Sequence, residues 1–258
     1  MDKYKCRVVS QDLLAEGIFS LWIDAPQLVK DAHSGQFVSV FITDPSRILP
    51  RPISICDLDK ENGLLRLVYR IAGEGTRLIS MLTPGDAVEL LGPLGNGYKI
   101  DTRKPLLLGG GIGIPPMLRL AKELRESGVA KEDIKVVLGF RDETFLLDDF
   151  EEVSTVYLTS DSGSVGVQGN VLDGVREYKI ESDMIFACGP TPMLRAIKAY
   201  SGETGIKAQL SLEERMACGV GACLACVCES TDTDDHSKVH NKRICKDGPV
   251  FFAEEVVL

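Results

Sequence analysis

Long apolar runs are missing from this sequence. The longest stretch without a charge, Pro105 to Leu118, is interrupted by four glycines and three prolines and is too short to span a bilayer. The first residues, MDKYKCRVVS, contain no apolar h-region, so no signal peptide is expected and a cytoplasmic location is. Positive charge is also scarce: 29 Lys and Arg face 38 Asp and Glu, a formal net charge of −9. Nucleic-acid binding and adhesion to anionic membranes both rest on clustered Lys and Arg, so neither partner is expected. The three histidines, His33, His236 and His240, read as surface residues rather than ligands. There is no internal repeat and no long low-complexity tract. The rest is ordinary: 258 residues, 44% hydrophobic and 26% charged, suit one large or two modest domains whose core needs no disulfides.

Cysteine is the exception. Eight are present, and Cys218, Cys223, Cys226, Cys228 and Cys245 lie within 28 residues of one another. In a reducing compartment such a cluster reads as metal ligands or redox groups rather than a disulfide framework. The spacing Cys218-x4-Cys223-x2-Cys226, with Cys245 following at a distance, is that of plant-type 2Fe–2S ferredoxins. Gly219, Gly221 and Ala222 keep side chains small where backbone N–H groups must approach sulfur. A four-cysteine zinc site is the competing reading, but zinc favours two similar short pairs. Cys228 competes with Cys245 as fourth ligand. Enclosure favours Cys245, because a separate segment closes the side that the first three leave open.

Residues 1 to about 100 read as short strands (Tyr4–Ser10, Ile18–Ile23, Gln36–Ile42, Leu64–Tyr69, Ala87–Leu91) with one helix at Thr76–Leu82, the pattern of a small antiparallel barrel. The turn cluster Gly92–Gly97 marks a boundary. From Lys104 strands alternate with helices (Pro115–Ser127, Val171–Glu177, Thr191–Thr204), which predicts crossover units and a parallel sheet. The acidic run Asp142–Glu152 reads as a solvated face and loop. After about residue 209 the cysteines and a polar insert, Glu229–Lys238, suggest a small third domain organised by something other than a hydrophobic core. The expected domains are 1–100, 101–209 and 210–258.

Two barrel segments suit a flavin. In Arg51-Pro52-Ile53-Ser54 an arginine can pair with a pyrophosphate and a serine hydroxyl can bond a ring nitrogen. Gly73-Glu74-Gly75-Thr76 opens a helix whose N–H groups suit phosphate, though Thr76 also reads as a plain N-cap. In the α/β half, Gly109-Gly110-Gly111-Ile112-Gly113-Ile114-Pro115-Pro116-Met117 joins a strand to a helix, the context of a dinucleotide site without its usual third glycine. Cys188-Gly189-Pro190-Thr191-Pro192-Met193 repeats that context at the carboxyl end of another strand, where ligands of open α/β sheets bind.

RPIS, GEGT, GGGIGIPPM and CGPTPM, in this order, resemble the ferredoxin-NADP reductase superfamily over about the first 200 residues. With ERMACGVGACLACVC and RICKDGPVF added, nearly the whole chain is similar to the family of electron-transfer subunits of dihydroorotate dehydrogenase B. The resemblance implies a multi-domain α+β and α/β protein: an antiparallel β-barrel flavin domain, a parallel-sheet α/β nucleotide domain and a small C-terminal 2Fe–2S domain. It implies that Arg51, Pro52, Ile53, Ser54, Val68, Tyr69, Arg70, Gly75 and Thr76 hold FAD. Cys218, Cys223, Cys226 and Cys245 would hold the cluster, and Gly111, Gly113, Cys188 and Gly189 would face NAD. Cys188 has a plainer reading as a small buried residue.

Two departures from the superfamily, Ile53 where a tyrosine is usual and a chain ending in Val257–Leu258 rather than beside the flavin, agree with the narrower family. The implied route runs from FMN in a dihydroorotate-oxidising catalytic subunit through 2Fe–2S and FAD to NAD+, in a heterotetramer of two plus two serving pyrimidine (UMP) biosynthesis. No catalytic side chain is expected here. The same module serving a hydrogenase or a ferredoxin-linked NAD(P) oxidoreductase is the alternative, and a zinc-stabilised binding module without turnover is a third.

Overall fold

The computed structural model describes residues 2–42, 48–141, 143–233 and 239–258. His236 and Asp142, named above, lie outside the described residues, as do positions 234–238 of the polar insert. Strands β1 (Tyr4–Ala15), β2 (Ile18–Asp24), β3 (Phe37–Phe41), β4 (Arg51–Asp59), β5 (Leu64–Arg70) and β6 (Ala87–Leu94) close into an antiparallel barrel in the order β1-β2-β5-β4-β3-β6. Two short helices, α1 (Pro26–Val29) and α2 (Glu74–Ile79), lie in its connections.

Alternation along β5 explains how the barrel meets the rest of the chain. Leu65, Leu67 and Tyr69 point into the barrel core, each contributing about 1.5–3 kcal/mol relative to exposure. The intervening Arg66 and Val68 face outward. Val68 packs among the apolar residues of the second half. The guanidinium of Arg66 donates to Ser20 Oγ at 2.9 Å and to Asp149 Oδ1 at 2.7 Å. Asp149 belongs to the acidic run, as does Glu143, whose carboxylate accepts from the Glu16 N–H at 2.8 Å. That run is therefore not only a solvated face. Part of it docks on the barrel, and a count of charges along the chain cannot show which carboxylates find partners.

The helix expected over Thr76–Leu82 starts two residues earlier and ends three sooner. Gly73 caps it. Thr76 stands at the third helical position, not the N-cap, and its hydroxyl accepts from the N–H groups of Ala72 (2.9 Å) and Gly73 (3.2 Å).

The second half alternates as its pattern predicts: β7 (Pro105–Gly110), α3 (Ile114–Glu126), β8 (Lys135–Phe140), α4 (Leu147–Val153), β9 (Thr155–Ser160), β10 (Val167–Gln168), α5 (Val171–Glu177), β11 (Met184–Cys188), α6 (Thr191–Thr204) and β12 (Lys207–Ser211). All these strands are parallel. The continuous burial of β7 is what a strand covered on both faces requires. In α3, Met117, Leu120, Ala121 and Leu124 recur at helical spacing on the buried face.

The cysteine-rich tail adds a hairpin, β13 (Val227–Glu229) with β14 (Asn241–Arg243), and a last strand, β15 (Val250–Phe252). β15 pairs antiparallel with β12, which extends the sheet to the order β10-β9-β8-β7-β11-β12-β15. Leu212, Ile244, Phe251 and Val256 share one apolar cluster with Leu106, Ile185 and Leu210. The tail thus draws on the hydrophobic core of the sheet, contrary to the expectation from its composition. A three-residue strand is too short to show a period. Cys6 and Cys56 are buried. Among the described residues no helix is long and apolar enough to cross a membrane.

Candidate functional site

The barrel, the sheet and the tail meet at a cleft of about 270 Å³. From the barrel it is lined by Pro52, Ile53 and Ser54 of β4, Val68, Tyr69 and Arg70 of β5, and Thr76 of α2. Register puts Ser54 opposite Phe37 of β3, which also lines the cleft. The Tyr69 hydroxyl donates to Gln11 Oε1 at 2.8 Å, and the Gln11 amide donates to Ile79 O at 3.2 Å and Leu82 O at 2.8 Å, tying β1, β5 and the end of α2 together. Arg51 lies just behind. A Cβ at Gly75 would stand 1.9 Å from Arg51 Nε, so the absence of a side chain at 75 is what lets the guanidinium rest on the first turn of α2. Its Nη1 donates to Leu49 O at 2.7 Å and Pro50 O at 3.2 Å, which holds the cation in place. A fixed cation beside a helix start, under a cleft rimmed by backbone and a serine hydroxyl, fits the phosphates and ring of a flavin nucleotide.

Across the cleft Ile112 represents the glycine-rich turn. A Cβ at Gly113 would stand 2.3 Å from Cys188 O and 2.5 Å from Gly189 N. The two turns picked out by sequence therefore touch backbone to backbone, and a Cβ at Gly111 would meet open space. Such bare, close-set backbone fits a dinucleotide at the carboxyl ends of β7 and β11. Cys188 itself is 1% exposed, and burial, with the nearby Glu213 carboxylate adding to it, holds its thiol well above the usual range. We expect Gly113→Ala to lower Tm by several degrees in calorimetry. Overpacking against backbone costs about 1–3 kcal/mol, and each kcal/mol is worth about 2–4 °C in a chain of this size. An unchanged Tm would mean that the two turns separate freely.

The cysteine loop follows β12. Gly219 (φ +68°) and Gly221 (φ +80°) take the left-handed conformation that bends the chain around its own thiols. Backbone N–H groups then point at sulfur: Cys223 N to Cys218 Sγ at 3.3 Å, Gly221 N to Cys245 Sγ at 3.2 Å, and Cys245 N to Cys226 Sγ at 3.5 Å. Partial burial works to raise the Cys218 thiol, but the N–H groups of Val220, Cys223 and Ala222 outweigh it and bring it down to about 6. Cys245 is pushed up to about 12 by burial and by its neighbour Cys226. Cys228, in contrast, lies in the hairpin opposite Lys242 and donates its thiol to the Lys242 carbonyl at 3.5 Å. Among the described residues no three His, Cys, Asp or Glu side chains surround a single metal-ion position. The backbone N–H groups on these sulfurs fit an iron–sulfur cluster, whose ligand sulfurs take such hydrogen bonds.

Comparison with known proteins extends over the whole chain. Residues 213–257 match the family described as the iron-sulfur cluster binding domain of dihydroorotate dehydrogenase B. The chain is 43% identical over 259 residues to the dihydroorotate dehydrogenase B (NAD(+)) electron transfer subunit of Listeria monocytogenes, covering 98% of each chain. Its counterpart in Caldanaerobacter subterraneus is 39% identical, over 99% of this chain and 98% of that one. The chain belongs to the family of dihydroorotate dehydrogenase B electron-transfer subunits. A solved structure of an NADH-dependent reduced ferredoxin-NADP oxidoreductase, a flavin-based electron-bifurcating protein, superposes with a TM-score of 0.86 at 32% identity, covering 97% of this chain and 89% of that one.

For this member of the family, sequence reasoning missed one wall of the cleft. Ser211, Leu212, Glu213 and Met216, which link β12 to the cysteine loop, and Pro249 before β15 all line it. Glu213 keeps accessible surface because it faces the cleft, yet the protein around it raises its carboxyl above the ordinary range, with Arg70 opposing. Only its position just before the cysteines hinted at a role. His33 stays at the surface, 3.3 Å from Glu123, and His240 is exposed.

Proposed function

We propose that this chain passes electrons from the FMN of a dihydroorotate-oxidising catalytic subunit, through a 2Fe–2S cluster and FAD, to NAD+, as a cytoplasmic step of pyrimidine (UMP) biosynthesis. The observation that carries the reading is the single cleft on which the barrel segments, the glycine-rich turn and the segment leading into the cysteine loop converge. Residues 1–100 bind FAD, 101–209 bind the pyridine nucleotide and 210–258 bind the cluster. A flavin exchanges one or two electrons, and so joins two-electron nicotinamide chemistry to one-electron iron–sulfur chemistry.

The side chains position and insulate. Arg51 neutralises the FAD pyrophosphate; Pro52, Ile53, Ser54, Val68, Tyr69 and Arg70 seat the flavin; Gly75 and Thr76 bring the start of α2 to the phosphates. Gly111, Gly113 and the Cys188–Gly189 turn face NAD. Cys218, Cys223, Cys226 and Cys245 hold the cluster, with backbone N–H groups on the sulfurs tuning its potential. No residue of this chain acts on dihydroorotate. That work belongs to the partner, with which the chain forms a heterotetramer of two plus two.

The likeness to the ferredoxin-NADP oxidoreductase chain favours a second reading, a ferredoxin-linked NAD(P) reductase subunit. Coexpression with an FMN-containing catalytic subunit should yield a copurifying complex that contains FAD, iron and sulfide and reduces NAD+ with dihydroorotate. A fully loaded complex that reduces NAD+ from ferredoxin but not from dihydroorotate would support the second reading. A colourless protein carrying zinc would end the redox account.

A further inference from the structure

Ser39 lies on β3, outside the motifs considered so far, and is one of five residues with a buried polar side-chain atom left without a partner among the described residues. It is 1% exposed, and its hydroxyl has no hydrogen-bond partner among the described residues. Burying a hydroxyl without a partner is costly, so such a group calls for an explanation. Its surroundings supply one. On β3, Ser39 shares a face with Phe37, two residues away, and the register with β4 sets Phe37 opposite Ser54 and Ser39 opposite Pro52. Phe37, Pro52 and Ser54 all line the cleft. Ser39 is the next position along this face, and there it meets the cysteine loop: a Cβ built on Gly219 would lie 3.0 Å from Ser39 Oγ and 3.7 Å from Leu94 Cδ1. Gly219 immediately follows Cys218, and Leu94 offers the hydroxyl no acceptor.

We propose that Ser39 is a positioning and tuning residue whose hydroxyl donates a hydrogen bond to a sulfur of the cluster held by the Cys218 loop. The proposal rests on the assignment of the four cysteines as cluster ligands. The hydrogen-bond donors to sulfur described above are backbone N–H groups of the loop and of the returning segment around Cys245. Ser39 adds a side-chain donor from the flavin half of the molecule. A hydrogen bond to sulfur stabilises the reduced cluster, which carries one more negative charge, more than the oxidised one, and so raises its potential.

The test is a redox titration of the purified complex with its catalytic subunit, followed by the paramagnetic signal of the reduced cluster. Ser39→Ala should shift the reduction equilibrium about tenfold toward the oxidised state, about 59 mV for a one-electron couple. It should also abolish one exchangeable-proton coupling to the reduced cluster, with FAD content unchanged. Ser39→Thr, which keeps the hydroxyl, should retain the potential and the coupling. A loaded Ser39→Ala complex with unshifted potential and intact coupling overturns the proposal. Should alanine prevent loading, Ser39→Cys, close in size and a weak donor, gives the reading: an intermediate shift supports the proposal and none overturns it. A wild-type complex without iron and sulfide would instead remove the ligand assignment itself, so the two failures are distinguishable.

Discussion

Replacing Cys245 by serine should remove iron, sulfide and visible cluster absorbance from the purified complex, while Cys228→Ser leaves all three in place. The two thiols compete on spacing alone, and their surroundings separate them. Cys245 is 2% exposed, takes the Gly221 N–H on its sulfur and lends its own N–H to Cys226. The fold around it keeps donors trained on sulfur. Arg243 reinforces this by donating to the Gly221 carbonyl at 3.1 Å. Cys228 is committed to the carbonyl across the hairpin, and its sulfur lies in the β13–β14 pair rather than in the turn that the backbone N–H groups surround. The expected loss on changing Cys245 is complete, because three thiolates leave one coordination position of the cluster without a protein ligand. Iron retained in Cys245→Ser together with iron lost in Cys228→Ser would reverse the assignment.

Arg51→Ala should weaken FAD binding about 10–100-fold in equilibrium titration, and Gly75→Ala should do nearly the same without touching the cation directly. The first variant removes charge-assisted hydrogen bonds worth about 1.5–3 kcal/mol, and each 1.4 kcal/mol is a factor of ten in affinity. The second places a methyl group 1.9 Å from where Arg51 Nε now lies. The guanidinium, held by its bonds to the Leu49 and Pro50 carbonyls, ends a flexible side chain, so the methyl group displaces it at little cost to folding and takes its charge out of place. Both variants should therefore keep wild-type Tm in the FAD-free state and differ from wild type in FAD retention. A Gly75→Ala protein that binds FAD normally would show that Arg51 reaches the phosphates from elsewhere.

Much of the architecture was open to reading because it is local. The alternation Leu65-Arg66-Leu67-Val68-Tyr69 and the helical spacing of Met117, Leu120, Ala121 and Leu124 depend on neighbours a few residues away. The errors are those of distance. The sequence of β15 does not say that it pairs with β12, and Asp149 shows no sign of its partner Arg66, which lies 83 residues away. In the candidate site, the barrel motifs and glycine turns were visible as segments, because phosphate contacts demand glycine, arginine and helix starts. Ser211, Glu213 and Met216 were not, since serine, glutamate and methionine are unremarkable anywhere on a chain.

By itself the sequence determined the chemistry available: thiols at the plant-type 2Fe–2S spacing, glycine-rich turns between strands and helices, and an excess of acidic over basic residues. Those properties reside in residue type and short spacing, which survive in an unfolded chain. The tertiary structure decided which groups meet. It set Arg51 on Gly75, Gly113 against Cys188, Cys228 on a carbonyl and Ser39 beside Gly219. Each of these is a contact between segments far apart in the chain, and sheet register with core packing, rather than any local preference, selects it.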